Sequence, residues 1–214
     1  MSLVTKVCGV RSTEALKACA AAGVSFVGPN RVDGRRRQVN LARAVELVSA
    51  CPAPLTPVLL YQDAPLHQVV SEARAAGVTW VQLHGVEPPA MGRSAREAGL
   101  RVIKALPGLE TSRSGQWRAW VDACDVLLLD GRDPGSGERW AWGQIELTDG
   151  HLGPLPVWLA GGLTPLNVGE AVATVRPIGV DVASGVERAG SVDGERVTDF
   201  VAAAVSASHE RGQR

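Results

Sequence analysis

Residues 124–142 read CDVLLLDGRDPGSGERWAW. The apolar run Val126-Leu127-Leu128-Leu129 stops at Asp130, a loop carrying Gly131, Gly135 and Gly137 follows, and Trp140-Ala141-Trp142 ends the stretch. Four apolar residues in succession, with no alternation, predict a strand covered on both faces, as in parallel sheets. A lone carboxylate at the end of such a strand, under a glycine-rich loop, is how an α/β enzyme presents an acid to a small molecule. Pro134-Gly135-Ser136-Gly137 reads as a lid that closes over the bound molecule.

Runs of this kind recur along the chain. Strands are predicted over residues 3–8, 24–28, 55–61, 79–83, 101–105, 126–130, 157–160 and 179–182. Helical periodicity fills the intervals at 12–22, 41–50, 66–76, 90–98, 115–123 and 165–175, with a last helix over 195–207. Residues between Trp142 and Pro156 give no clear pattern. Ala22-Gly23, Ala76-Gly77 and Ala98-Gly99 each read as a helix C-cap leading into the next strand. An open doubly wound sheet is the competitor, but the first turn, Cys8-Gly9-Val10-Arg11-Ser12, lacks the G-x-G-x-x-G of a dinucleotide fold. Eight strands alternating with about as many helices predict a single α/β domain, a (β/α)8 TIM barrel over residues 1–207, with a polar tail at 208–214.

Composition narrows the function classes. The 214 residues carry 22 basic and 22 acidic side chains, so bulk charge offers nothing to nucleic acid. No stretch approaches a membrane span, and the N-terminal MSLVTKVCGV has no signal-peptide character, so a cytoplasmic enzyme is expected. Cys8, Cys19, Cys51 and Cys124 have no metal-ligand spacing; Cys19, Cys51 and Cys124 read as buried small hydrophobes. Four scattered histidines support no metal cluster either, and neither metal nor cofactor is expected. The oligomeric state, monomer or homodimer, stays open, because Trp117, Trp120 and Trp158 suit a core or an interface equally.

In a barrel the chemistry sits at the C-terminal strand ends, and phosphate is often held after the seventh and eighth strands. Those ends carry Cys8, Gln82 and His84, Lys104, Asp130, Gly161-Gly162, and Asp181 with Ser184-Gly185. Lys6, two residues before Cys8, shares its face of the first strand; if that face is interior, this buried cation needs a carboxylate. It would then favour the Cys8 thiolate or hold Asp130.

Four motifs on this rim resemble the phosphoribosylanthranilate isomerase family of tryptophan biosynthesis. They are Lys6-Val7-Cys8-Gly9-Val10; Val81-Gln82-Leu83-His84-Gly85 with Glu87; Leu128-Leu129-Asp130-Gly131; and Leu159-Ala160-Gly161-Gly162-Leu163 with Asn167, followed by Gly179-Val180-Asp181-Val182-Ala183-Ser184-Gly185-Val186-Glu187. The resemblance implies a phosphosugar substrate, an Amadori rearrangement, Cys8 as general base and Asp130 as general acid. It puts Lys6, Arg37, Gln82 and His84 at the substrate, and Gly161, Gly162, Asp181, Ser184 and Gly185 at its phosphate.

The chain departs from the family at the second strand. Where the family has Gly-Phe-x-Phe and then Ser-Pro-Arg, this chain has Gly28-Pro29-Asn30-Arg31 and then Arg35-Arg36-Arg37. Arg37 falls on the family's arginine, while the aromatics are gone and Pro29 shortens the strand. Trp140-Ala141-Trp142 replaces Phe-Asp-Trp, and Val192 replaces a lysine. Walls rewritten around retained acid and base positions leave two alternatives: another N-substituted sugar phosphate as substrate, or a non-catalytic sugar-phosphate binder.

Overall fold

The computed structural model describes residues 3–131, 142–148 and 150–210. The expected lid at Pro134-Gly135-Ser136-Gly137, and Trp140 beside it, lie outside the described residues. Eight parallel strands form a closed barrel: β1 (Val4–Cys8), β2 (Phe26–Gly28), β3 (Thr56–Tyr61), β4 (Trp80–Leu83), β5 (Arg101–Pro107), β6 (Val126–Asp130), β7 (Leu155–Leu159) and β8 (Gly179–Val182). Each strand pairs with the next, and β8 returns to β1 with Val4 opposite Gly179 and Lys6 opposite Asp181.

Seven α-helices among the described residues wrap the barrel: α1 (Thr13–Ala21), α2 (Leu41–Ser49), α3 (Leu66–Ala76), α4 (Pro89–Glu97), α5 (Gly108–Ser114), α6 (Val168–Val175) and α7 (Gly194–Glu210). Their starts follow from capping chemistry. Ser12 accepts from the Ala15 amide and Asn40 from the Arg43 amide, each satisfying a donor that the helix leaves orphaned.

Strand alternation sorts the apolar residues into two layers. Along β6, Leu127 and Leu129 pack outward among the helices, while Val126 and Leu128 face the barrel interior with Val58, Ile103, Ala105 and Trp158. Phe26 sits between Trp80 and Trp158 in that interior, with ring centroids 5.3 and 5.0 Å away. The same alternation continues upward into polar residues. Val4 and Trp80 belong to the apolar floor, so Lys6 and Cys8 on β1, and Gln82 on β4, follow on the interior face.

Three expectations need correction, and the one stretch without a pattern is resolved. The helix expected at 115–123 is α5 at Gly108–Ser114, followed by a 3-10 turn at Gln116–Trp120; Gly115, in the left-handed region, ends the helix and does not begin it. The unclear stretch before Pro156 holds a short antiparallel pairing of His151–Leu152 with β7. The last helix runs to Glu210, three residues into the expected tail. Lys104 lies on β5 between Ile103 and Ala105, which face inward, so its side chain leaves the barrel on the opposite face. It meets Glu87 at 2.6 Å there and takes no part in the cavity. Trp120 and Trp158 are core residues, and Trp117 packs partly buried against the core. No described helix is long and apolar enough to cross a membrane.

Candidate active site

A cavity of about 360 Å³ opens at the C-terminal ends of the strands. Its lining brings together Cys8 from β1, His84 after β4, Asp130 from β6, Gly161 and Gly162 after β7, and Asp181 and Ser184 at and after β8. Arg37 and its two neighbours form the wall after β2. Chain positions separated by more than 170 residues thus meet around one space.

Beneath this cavity the Lys6 ammonium lies 3.0 Å from Asp181 Oδ1, both deeply buried. The carboxylate that Lys6 needs is therefore Asp181, not Asp130. Burial works against the Lys6 charge, but Asp181 and Cys8 outweigh it and raise the Lys6 pKa, so the ammonium stays charged. Burial pushes the Asp181 carboxyl up, against the pull of Lys6. The Cys8 thiol is pushed up by burial and by the nearby carboxylates Asp181 and Asp130, while Lys6 and Arg37 oppose the rise. Two cations and two acids therefore set how readily this thiol ionises. Cys19 and Cys124, by contrast, are pushed up to about 12 by burial alongside apolar neighbours, which fits inert packing residues. Cys51 is half-buried.

Asp130 accepts the Gly131 amide on Oδ1 at 2.7 Å and faces His84 Nε2 across 3.2 Å with Oδ2. No hydrogen bond forms across that contact, so the buried Nε2 has no hydrogen-bond partner among the described residues. Gln82 meets the other ring nitrogen, Nδ1, at 2.8 Å. With the Gln82 amide donating, His84 carries its proton on Nε2, the side toward Asp130. The Gln82 Oε1 atom is buried without a partner among the described residues, an acceptor suited to a substrate hydroxyl.

The turns after β7 and β8 are built as one piece. Gly161 and Gly162 both take positive φ, 86° and 66°, a bend that side chains resist. Asn167 braces it, donating to the Gly162 carbonyl at 2.9 Å and accepting the Thr164 amide at 2.8 Å. Gly185 lies so close to the Leu163 carbonyl and Thr164 that a Cβ there would overlap them. Two adjoining turns rich in glycine thus border the cavity.

Sequence reasoning missed the scaffold of the wall after β2. Pro29 does end β2 early, at Gly28, yet Asn30 rejoins the ladder as a bridge to Leu60. Arg31 then forks onto Glu72 of α3 at 2.8 and 2.9 Å, and Asn30 accepts the Val32 amide. Arg37 donates to Glu187 at 2.6 and 2.9 Å, and Arg36 binds the same carboxylate. The Arg37 stem crosses the backbone of Gly9, where a Cβ would overlap its Cδ. Polar ties thus hold this wall in place. The one available signal is Glu187 itself, an acid closing the last motif.

Among the described residues no group of three or more His, Cys, Asp or Glu is arranged to hold a metal ion. A carboxyl group and a thiol thus share one cavity with the glycine turns that follow β7 and β8.

Comparison with known proteins gives one answer. The family model described as N-(5'phosphoribosyl)anthranilate (PRA) isomerase matches residues 5–203. The N-(5'-phosphoribosyl)anthranilate isomerase of Myxococcus xanthus is 42% identical over 96% of this chain and 98% of its own. That of Afipia carboxidovorans is 37% identical over 97% and 92%. The crystal structure of phosphoribosyl anthranilate isomerase from Thermus thermophilus superposes with a TM-score of 0.82 at 32% identity, covering 95% of this chain and 99% of that one. A further relative, 25% identical with a TM-score of 0.78 over 94% and 98% of the chains, was solved with reduced 1-(o-carboxyphenylamino)-1-deoxyribulose 5-phosphate. With motif, barrel and cavity agreeing, the chain belongs to the N-(5'-phosphoribosyl)anthranilate isomerase family.

Proposed function

We propose that this chain catalyses the Amadori rearrangement of N-(5'-phosphoribosyl)anthranilate to 1-(2-carboxyphenylamino)-1-deoxyribulose 5-phosphate in tryptophan biosynthesis. The observation that carries the reading is the cavity that Cys8 and Asp130 share, with the glycine turns after β7 and β8 in the same lining.

In this reading the phosphate lies against the backbone N–H groups of Gly161, Gly162, Ser184 and Gly185. Asp130 protonates the furanose ring oxygen; the C1–O bond breaks and the amine lone pair forms a C1=N iminium. Cys8, as thiolate, then removes the C2 proton, and the C–H electron pair becomes the C1=C2 bond of an enolamine. Return of a proton to C1, with loss of the one on the C2 hydroxyl, leaves the ketone. Two protons are given, to the ring oxygen and to C1, and two are taken, from C2 and its hydroxyl, so the net change is an isomerisation. His84 stands beside Asp130 to orient it and to meet the sugar hydroxyls. Lys6 supports the Cys8 thiolate from below while Asp181 keeps that cation charged. Each acid or base step contributes about 10² to 10⁴ in rate.

The test is growth of a strain lacking this isomerase on tryptophan-free medium with the gene supplied on a plasmid. Restored growth, abolished by Cys8→Ala, supports the reading. Failure of the folded wild-type protein to restore it would instead point to a different N-substituted sugar phosphate.

A further inference from the structure

Lys104 and Glu87 do not line the cavity, yet both are almost wholly buried and their side chains meet at 2.6 Å on the outer face of the barrel wall. Lys104 leaves β5 between two inward-facing residues and runs beside Trp120, its ammonium 5.1 Å from the ring centroid. Burial lowers the Lys104 pKa against the pull of Glu87 and Asp63, so the charge is kept there at a cost. Filling the space needs no charge. Apolar side chains of the same volume often serve stability as well as a buried ion pair.

What the pair holds is backbone. The Lys104 ammonium donates to the Gly85 carbonyl at 2.7 Å, and Glu87 accepts the Gly85 amide at 2.9 Å. Both polar backbone groups of one residue are thereby tied to the two halves of one ion pair. Glu87 also accepts the Asp63 amide at 2.9 Å, and Asp63 in turn accepts the Val86 amide at 2.7 Å, which joins the loop after β3 to the loop after β4. Gly85 has no room for a side chain, because a Cβ would overlap the Asp63 carboxylate.

The residue before Gly85 is His84. Its own amide donates to the Tyr61 carbonyl at 2.8 Å, so its backbone is fixed on both sides. From that anchorage the ring reaches the cavity, with Nδ1 2.8 Å from the Gln82 amide and Nε2 3.2 Å from Asp130 Oδ2. Nε2 is buried without a hydrogen-bond partner among the described residues, so no bond at that end aims the ring. Its direction is set by Gln82 and by the backbone behind it.

We propose that Lys104 and Glu87 are positioning residues that hold His84 at Asp130 by clamping Gly85 from outside the barrel. Neither touches the reacting atoms; both act through one residue of backbone. The effect on turnover rests on the isomerase reading above, in which His84 orients the acid. A misplacement of about 1 Å at a reacting centre can cost about 10²-fold in rate.

The test has two arms, both using the variant Lys104→Met, Glu87→Gln, which removes the two charges together and leaves no buried ion unpaired. The first arm needs no substrate. Long-range proton–nitrogen NMR reads the histidine rings at about pH 8, where an ordinary imidazole is neutral, with His84→Gln identifying the signal. Wild-type His84 should be a single tautomer protonated on Nε2, and in the variant it should move toward the mixed tautomers of a free imidazole. The second arm is steady-state kinetics with N-(5'-phosphoribosyl)anthranilate. The variant should lose about 10-fold in kcat with KM within about 3-fold, and less than about 2-fold when the same changes are made in His84→Gln. An unmoved His84 signal, an unchanged kcat, or a loss that simply adds to that of His84→Gln would overturn the assignment. Mixed tautomers in the wild-type protein would overturn it with no variant needed, so the test survives a variant that fails to fold. A wild-type protein that does not turn over this substrate would remove the isomerase reading, while the NMR arm still decides what holds His84.

Discussion

Arg37 and Glu187 are joined by two near-parallel hydrogen bonds of 2.6 and 2.9 Å, across 150 residues of chain. Glu187 follows the turn after β8 and Arg37 the loop after β2, so the pair straps two rim segments together beside β1. Fork-on-carboxylate geometry fixes the guanidinium plane as well as its position. The charge beside Cys8 is therefore held in one place.

That fixed charge has a readable effect on pH dependence. In the proposed role Cys8 must be deprotonated to act, and burial raises its pKa. The rate constant kcat/KM should climb with pH over the range in which this thiol ionises. Removing Arg37 removes one of the influences that oppose the rise, so Arg37→Gln should shift the ascending limb to higher pH. Profiles of kcat/KM for the two proteins check this; an unmoved limb would mean that Cys8 does not titrate in it.

Cys8→Ala and Asp130→Asn should each lower kcat by about 10² to 10⁴ with little change in melting temperature. Neither residue is part of the apolar core, so the loss should be chemical rather than structural. Steady-state kinetics and thermal unfolding on the same preparations measure both halves of the claim.

Gly185→Ala should act on binding more than on chemistry. Its Cβ would press on the Leu163 carbonyl and spread the two turns proposed to hold phosphate. A rise in KM of about 10-fold with a smaller change in kcat is expected, alongside a stability loss of about 1–3 kcal/mol from overpacking. A large fall in kcat at unchanged KM would place Gly185 elsewhere in the mechanism.

Two carboxylates tie rim to scaffold and should make the fold sensitive to acid. The Glu72 pKa is lowered from 4.5 chiefly by its hydrogen bond to Arg31. Burial works to raise that of Glu187, but Arg37 and Arg36 outweigh it and the net shift is downward. A carboxylate with a lowered folded pKa adds stability that is complete above its unfolded value and drains away as pH falls through the folded one. Melting temperature should therefore fall on acidification below about pH 4.5. The double variant Glu72→Gln, Glu187→Gln should start lower at neutral pH and lose less across the same interval. Calorimetric scans from pH 7 to strongly acid buffer compare the two slopes.

Much of the fold and of the site is legible in the residues alone. β6 can be read from four apolar residues ending in Asp130, and Cys8 with Lys6 from their shared strand face, because alternation along a strand is a local rule. The turns at Gly161-Gly162 and Ser184-Gly185 announce themselves through glycine. Lys104 is harder: the expected strand over 101–105 puts it near an end like the others, whereas β5 runs on to Pro107 and the inward packing of Ile103 and Ala105 shows that it faces away. The helix after β5 is misplaced by sequence pattern because Gly115 serves equally as a stop or a start signal, and Pro107 begins the helix without a side-chain cap to mark it. Ion pairs such as Arg37 with Glu187 or Arg31 with Glu72 are out of reach. Arginine is plentiful, and nothing local says which acid each will meet.

The seam between β1 and β8 has a bearing on how the protein is made. Lys6 leaves the ribosome among the first residues, and Asp181, its counter-ion, some 175 residues later. Until then the ammonium has no buried place to go, since seating it without a carboxylate would cost more than a single strand pairing returns. Nascent β1 should stay solvated, or be loosely held, through synthesis of the first seven strands. The surroundings of Cys8, the proposed base, are thus completed only when the first strand meets the last.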